Sequence, residues 1–229
     1  MIGRTARQDG RLVVARTIRL DLELAQYCRG FSMRTIMPAF DRHSRAGTAI
    51  GRMVVGYGEL EFDFCRLVAA LSGNFDAAIK IMFRTRGEAQ RVQVADGLVR
   101  NLITQGAFRT AYEETVAHLK HCLKIRNQYA HCNWTESRDG KSLAFIDLEE
   151  IARPDSSANA ATLTMHLIKE QLALDQEQFF IAVADWLNWL RLECDCDAGR
   201  SSRPHYLHRP AKLLRPLLYS PREVPEIEA

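Results

Sequence analysis

The longest regular pattern of apolar residues lies between Ala46 and Leu71, and it constrains the fold of this 229-residue chain more than any other feature. Apolar side chains recur there at steps of three and four, which places them along one face of an α-helix. They are Ile50, Met53, Val54, Tyr57, Leu60, Phe64, Leu67, Val68 and Leu71. Ser72, Gly73 and Asn74 follow, and such residues typically end a helix. The pattern predicts one long helix with a single buried face.

Further helical patterns follow this first helix. A short apolar stretch over 75–83 also looks helical, and Thr85 with Glu88 matches a capping box that would open the next helix. In that helix we expect a buried stripe of Val92, Ala95, Leu98, Val99 and Leu102. Another helix is predicted to start near Phe108, with a buried stripe of Tyr112, Val116, Leu119, Leu123 and Ala130. The short connection at Gln105 and Gly106 predicts that these two helices form an antiparallel hairpin. A final helix is predicted over 172–193, with Phe179, Val183, Trp186, Leu187 and Leu190 inward.

Two segments between the helices have strand patterns. Leu143 to Ile146 is a short apolar run after the turn pair Asp139 and Gly140, and Thr162 to Ile168 alternates apolar and polar residues. We expect them to pair as a small β-hairpin near 142–168, inserted before the last helix of a mainly α, antiparallel helical bundle. Residues 11–28 fit a strand or a helix equally well.

Charge separates the ends of the chain from its middle. The sequence has 31 Lys and Arg against 28 Asp and Glu, a net charge of +3, which alone does not imply a nucleic-acid partner. The excess lies in the first twenty residues and in residues 198–222. Five prolines after residue 203 exclude a helix through the C-terminal stretch, whose apolar side chains indicate an arm lying on the body or on a partner subunit. The predicted organisation is therefore a basic N-terminal arm over 1–45, a helical domain over 46–196 and a Pro-rich basic C-terminal arm over 197–229.

The sequence also bears on location and on metal binding. It has no signal-peptide pattern and no run of about eighteen apolar residues, so we expect a cytoplasmic protein without a membrane partner. Its six cysteines are then expected to be mostly reduced. Cys194 and Cys196 are too close for a structural zinc pair, and the His and Cys residues over 118–132 lack a second well-spaced pair. We predict no metal and no cofactor.

One group of residues has the chemistry of a phosphate site. Asn127 and His131 are four residues apart and share a helix face, and Arg126 lies on its flank. Imidazole can donate or accept a proton near neutral pH, and guanidinium offers a planar fork that matches a phosphate. Glu59, Glu61 or Asp63 on the first long helix is a candidate partner for Arg126, and Tyr129 is a candidate supporting residue that more often would pack than stack on a base.

The run Arg126, Asn127, Ala130 and His131, on the last long helix of a helical hairpin, resembles the R-x4-6-H motif of HEPN domains. The wider run RNQYAHCNW followed by LAFIDLEEIA looks like a group of bacterial proteins without an assigned function, and the resemblance covers about residues 46–196. It implies an all-α, homodimeric, metal-independent nuclease that cuts RNA at a site composed from both protomers. Arg126 would then stabilise the phosphate, His131 would act as general acid or base, and Asn127 would orient them.

Other functions stay open at this stage. HEPN domains also serve as non-catalytic dimerisation, nucleic-acid-binding or nucleotide-binding modules, and some belong to toxin or defence systems in which a cognate inhibitor protein is the partner. The β-hairpin and the basic arms depart from the minimal all-α domain. A purely structural role is also open, with Arg126 in an internal ion pair and His131 at a helix end.

Overall fold

A computed structural model describes residues 36–137, 139–148, 152 and 165–220 of the chain. The chain divides into two compact units, 1–38 and 39–229. The segment over 11–28, for which the sequence allowed a strand or a helix, lies outside the described residues, as does most of the basic N-terminal arm. Apart from residues 36–38, the described residues belong to the second unit.

The described part of the second unit is mainly helical, with one small antiparallel sheet. The helices are α1 (Pro38–Arg42), α2 (Ser44–Ser72), α3 (Phe75–Arg84), α4 (Glu88–Val99), a 3₁₀ turn (Arg100–Leu102), α5 (Gly106–Ala130) and α6 (Glu170–Asp197). The strands are β1 (Cys132–Glu136), β2 (Leu143–Asp147) and β3 (Met165–Ile168). Within the described ranges, no helix combines the length and the hydropathy that crossing a bilayer requires.

The long helix expected over 46–71 is confirmed as α2. Its apolar stripe is buried except at Val54 and Leu71, which are partly buried, because α2 packs along α6 and also contacts α3, α4 and α5. Phe64 and Leu67 are completely enclosed. The helix ends where Gly73 takes a left-handed conformation, φ 71°, that side chains with a Cβ rarely adopt. Asn74 then caps α3 by accepting a hydrogen bond from the Ala77 amide over 2.9 Å. Sequence alone located this helix and its end.

Helix α4 differs from its prediction in two ways. The capping box is wrong: Gly87 occupies the N-cap position, and the Thr85 hydroxyl donates backwards to the Ile81 carbonyl over 2.7 Å. Three residues of the predicted stripe, Val92, Ala95 and Val99, are buried, whereas Leu98 and Leu102 are about half exposed. The backbone tightens into a 3₁₀ turn at residue 100, which changes the rotation per residue and turns Leu102 away from the core.

Helices α5 and α6 complete the core. Tyr112, Val116, Leu119 and Leu123 are buried on α5 as expected, whereas Ala130 at its end is exposed. The inward residues predicted for α6, Phe179, Val183, Trp186, Leu187 and Leu190, are all buried, and the helix runs beyond its predicted ends on both sides.

The predicted β-hairpin is correct as a pair but incomplete as a sheet. β2 pairs antiparallel with β3, with Leu143 opposite Ile168, and β1 pairs antiparallel with the other edge of β2, with Trp134 opposite Phe145. The sheet order is β1-β2-β3, so a third strand follows directly from α5. This strand places the residues after His131 against the core, where the Trp134 ring packs 5.1 Å from that of Phe40.

The described C-terminal stretch, 198–220, lies on the body of the second unit. Backbone carbonyls of this stretch accept hydrogen bonds from helical side chains: Ala211 from the Trp186 indole, and Leu218 from Gln128. The Ser220 amide donates to the Leu167 carbonyl over 2.8 Å and extends the edge of β3 by one bridge. The arm predicted to rest on the body or on a partner subunit is therefore packed on its own chain over this range.

Candidate active site

The three residues of the predicted site lie where α5 ends. Helix α5 stops at Ala130, and His131 takes the C-cap position with φ −118° and ψ 26°. Its amide still donates to the Asn127 carbonyl over 3.2 Å, so the two residues remain one turn apart although His131 is the first residue past the helix. The chain enters strand β1 at Cys132, and the His131 side chain is exposed. A helix end thus presents an imidazole to solvent.

Arg126 is held on both sides. Its Nη1 donates to Asn127 Oδ1 over 3.0 Å, and its Nη2 lies 3.4 Å from Glu88 Oε1 in the first turn of α4. The Arg126 side chain is 23% exposed, which leaves part of the guanidinium open to solvent. The structure therefore brings Arg126 and Asn127 into direct contact, and it joins His131 to Asn127 through the backbone.

A buried carboxylate, that of Glu61 on α2, lies within electrostatic range of this arginine. Glu61, 3% exposed, accepts from Arg91 Nη1 over 2.9 Å through Oε2. Its Oε1 and the Tyr57 hydroxyl are both buried with no hydrogen-bond partner among the residues that the structure describes. Burial raises the pKa of the Glu61 carboxyl, and the charges of Arg91 and Arg126 oppose that rise. Glu61 is thus close enough to Arg126 to sense its charge while forming its own ion pair with Arg91.

The other proposed supporting residues lie elsewhere. Glu59 is exposed on α2, and Asp63 is 3.4 Å from Arg66, so neither is the ion-pair partner of Arg126. Tyr129 is buried, and its hydroxyl donates to Gln176 on α6. Its ring lies 5.5 Å from that of Trp134. Tyr129 therefore acts as a packing residue that anchors the helix end rather than as an exposed platform for a base.

Glu88 is the residue that sequence reasoning missed. The spacing from Thr85 to Glu88 suggested a capping box, which would occupy the carboxylate with a backbone amide. Because Gly87 is the actual cap, this carboxylate is free to face Arg126 instead. No signal in the sequence pairs residues 88 and 126, since their contact depends on how α4 packs against α5.

The described ranges contain neither a cluster of metal-ligating side chains nor a disulfide. No group of three or more His, Cys, Asp or Glu side chains is placed there to hold a metal ion. Cys65, Cys122, Cys132, Cys194 and Cys196 are free thiols. Burial raises the pKa of Cys132, next to His131, to about 12, so this thiol stays protonated at neutral pH.

The chain matches no protein-family model, no curated protein and no solved structure. The fold defines a mainly helical protein with a small three-stranded antiparallel sheet. The end of α5 combines a partly open guanidinium, oriented by an amide, with an exposed imidazole one turn away. Such groups can bind a phosphodiester and move a proton to or from one of its oxygens.

Proposed function

We propose that this chain is a metal-independent endoribonuclease of the HEPN type, with Arg126 and His131 from two copies forming one composite site. The observation that carries the proposal is the oriented pair of Arg126 and Asn127 beside the exposed His131. A guanidinium fixed by a neighbouring amide is prepared for the planar, two-point recognition of phosphate oxygens.

The residues have distinct roles in the proposed reaction. Arg126 binds two non-bridging oxygens of the scissile phosphate and stabilises the charge that grows on them. His131 takes the proton from the ribose 2′-hydroxyl, whose oxygen attacks phosphorus. The bond from phosphorus to the 5′-oxygen breaks, and that oxygen receives a proton from a second imidazole. The products are a 2′,3′-cyclic phosphate and a 5′-hydroxyl.

The need for two proton-transfer groups supports a two-copy site. One imidazole, that of His131, lies at the end of α5 in each chain, whereas the reaction needs a base and an acid at once. A second copy related by a two-fold axis would bring its own His131 and Arg126 to the same groove, as isologous dimers do. The homodimer is thus part of the proposal.

The experiment examines both the chemistry and the metal requirement. Purified full-length chain is incubated with a labelled RNA in excess EDTA, in parallel with the same RNA carrying 2′-deoxyribose throughout. The proposal expects cleavage of the ribose form alone, with 2′,3′-cyclic phosphate ends. Cleavage of the deoxy substrate, or products with 5′-phosphate ends, would contradict it.

One contact favours a second candidate function. The Arg126 guanidinium already has an internal carboxylate partner, Glu88, as expected of a structural residue. On this alternative the chain is a non-catalytic dimerisation or nucleic-acid-binding module. Such a module would bind RNA without cutting it, with affinity that falls as salt rises because phosphate contacts release counterions. Binding without cleavage in the EDTA experiment would favour this alternative.

A further inference from the structure

We infer that a second anion site lies at the other end of the helical bundle and binds a small phosphate monoester. A cavity of about 300 Å³ opens there between the end of α2, the start of α3 and the end of α6. Three arginines from three parts of the chain line it: Arg66 on α2, Arg191 on α6, and Arg200 just after α6. This inference does not depend on the proposed ribonuclease activity.

The charges that line this cavity do not balance. Asp195 is its one acidic lining residue, and it serves two arginines at once: Arg191 Nη1 lies 3.1 Å and Arg200 Nε 2.9 Å from its two oxygens. Arg66 has a longer contact of 3.4 Å with Asp63 on its own helix. One carboxylate shared by two guanidiniums leaves a positive excess, which favours an anionic ligand.

Arg191 also has an unused donor. Its Nε is buried and has no hydrogen-bond acceptor within the described part of the chain. Buried donors in folded proteins normally have an acceptor, so an unpartnered one indicates a missing partner. The other two nitrogens of this guanidinium have partners, since Nη1 holds Asp195 and Nη2 donates to Asn188 Oδ1 over 2.9 Å. Nε is therefore the atom through which Arg191 would take a further acceptor, such as a phosphate oxygen.

The third arginine fixes the wall of the cavity. Arg200 Nη2 donates to the Ala70 carbonyl over 2.6 Å, near the end of α2, while its Nε holds Asp195. Because Arg200 is anchored to both helices, it keeps Asp195 in place between itself and Arg191. The half-exposed Phe75 ring lies at the same cavity and adds an apolar edge.

An adjoining cavity explains why the ligand should be an ester rather than free phosphate. It has a volume of about 290 Å³ and shares Ala70 and Arg200 with the first cavity. Its lining includes Leu102, Ile103 and Phe108, which can cover a compact apolar or aromatic group, together with the carboxylate of Asp197. Phe108 is eighteen residues before Arg126 on α5, about 27 Å along the helix axis, so this site is separate from the proposed active site.

Calorimetric titration of the full-length chain with phenyl phosphate, at constant ionic strength, tests the assignment. We expect a Kd below about 1 mM, with inorganic phosphate bound at least about tenfold more weakly and phenol not bound. Arg191→Gln should weaken phenyl phosphate binding about tenfold or more, because a charge-assisted contact is lost. Arg84→Gln, an exposed arginine near the end of α3, is the matched control and should bind like the wild type.

Several results would overturn the assignment. One is the absence of any heat of binding at about 10 mM phenyl phosphate. Another is equal affinity of Arg191→Gln and the wild type for phenyl phosphate, which would mean that the arginines only neutralise the two helix ends. Equal affinity for phosphate and phenyl phosphate would remove the second cavity from the site. If Arg191→Gln does not fold, Arg66→Gln replaces it, since that side chain is 41% exposed. His131→Ala should bind phenyl phosphate normally, whatever its effect on RNA.

Discussion

The Tyr129 hydroxyl donates a hydrogen bond to Gln176, and this contact ties the end of α5 to the second turn of α6. Gln176 is completely buried, and through its Nε2 it also donates to the Leu217 carbonyl over 2.6 Å and to the Leu218 carbonyl over 3.2 Å. One amide therefore joins the helix that carries the candidate site to the C-terminal stretch.

Replacement of this amide should loosen both partners. We expect Gln176→Leu to destabilise the fold by about 1–3 kcal/mol for each buried group left without a partner, and to expose the stretch after residue 198 to protease. Urea unfolding and limited proteolysis measure the two effects. Gln178→Leu, an exposed position on the same helix, is the control. Equal stability of the two variants would show that the Gln176 contacts do not stabilise the fold.

Two glycines of α2 should respond in opposite ways to alanine. A Cβ at Gly47 would lie 2.7 Å from the Phe40 ring, whereas a Cβ at Gly51 would meet nothing within 4 Å. We expect Gly47→Ala to cost about 1–3 kcal/mol through overpacking. Gly51→Ala should add about 0.5–1 kcal/mol, because alanine favours the helix. Thermal unfolding compares them, and a stabilising Gly47→Ala would contradict the packing of α1 on α2.

Two histidines facing the C-terminal stretch should make stability depend on pH. Burial lowers the pKa of His118 and of His121 below 6.5, and the Arg215 charge lowers both further. His118 Nδ1 accepts from Arg215 Nε over 3.3 Å, which requires a neutral ring. Between the lowered pKa and 6.5 the unfolded chain binds more protons than the folded one. The contribution of these rings to stability therefore rises with pH across that interval and is complete above it.

The variant His118→Asn isolates this effect. Asparagine keeps an acceptor for Arg215 but cannot titrate. Urea unfolding at pH 5 and pH 7 should show a smaller gain in stability between the two pH values for His118→Asn than for the wild type. An equal or larger gain in the variant would contradict the assignment of His118 as a partly buried, neutral ring.

Glu88 should compete with phosphate for Arg126. The ion pair between them is partly exposed, and such pairs contribute about 0.2–1 kcal/mol. Glu88→Gln should therefore tighten RNA binding about two- to fivefold at low salt, as measured by fluorescence anisotropy. Glu59→Gln removes one negative charge from an exposed site on α2 and is the control. If RNA binding tightens equally in both variants, the gain in affinity comes from the change in net charge and not from loss of the ion pair with Arg126.

The helices could be predicted because their burial follows local spacing. α6 buries all the residues that the three-and-four pattern selects and α2 buries most of them, and Gly73 ends α2 where the sequence places it. Strand β1 escaped prediction because it follows α5 without a turn signal, and it forms only by pairing with β2. The exposure of Leu102 escaped as well, since the 3₁₀ turn that rotates it is not visible in the spacing.

The candidate site could be predicted in part for the same reason. Arg126, Asn127 and His131 are neighbours in sequence, so helix geometry alone brings them to one end of α5. The partners of Arg126 could not be chosen from among the acids of α2, because the carboxylate that reaches it belongs to α4. Glu61 and Arg91 are thirty residues apart in sequence, so their pairing likewise depends on how α2 packs against α4.

The rate of RNA cleavage in EDTA by His131→Ala, relative to the wild type, tests the proposed function most directly. General acid or base catalysis by one histidine contributes about 10² to 10⁴ in rate, so we expect a loss of that size. His208→Ala, an exposed histidine of the C-terminal stretch, should cut at the wild-type rate. Cleavage by His131→Ala within about tenfold of the wild type would contradict the account, because general acid–base catalysis by this imidazole requires a larger loss.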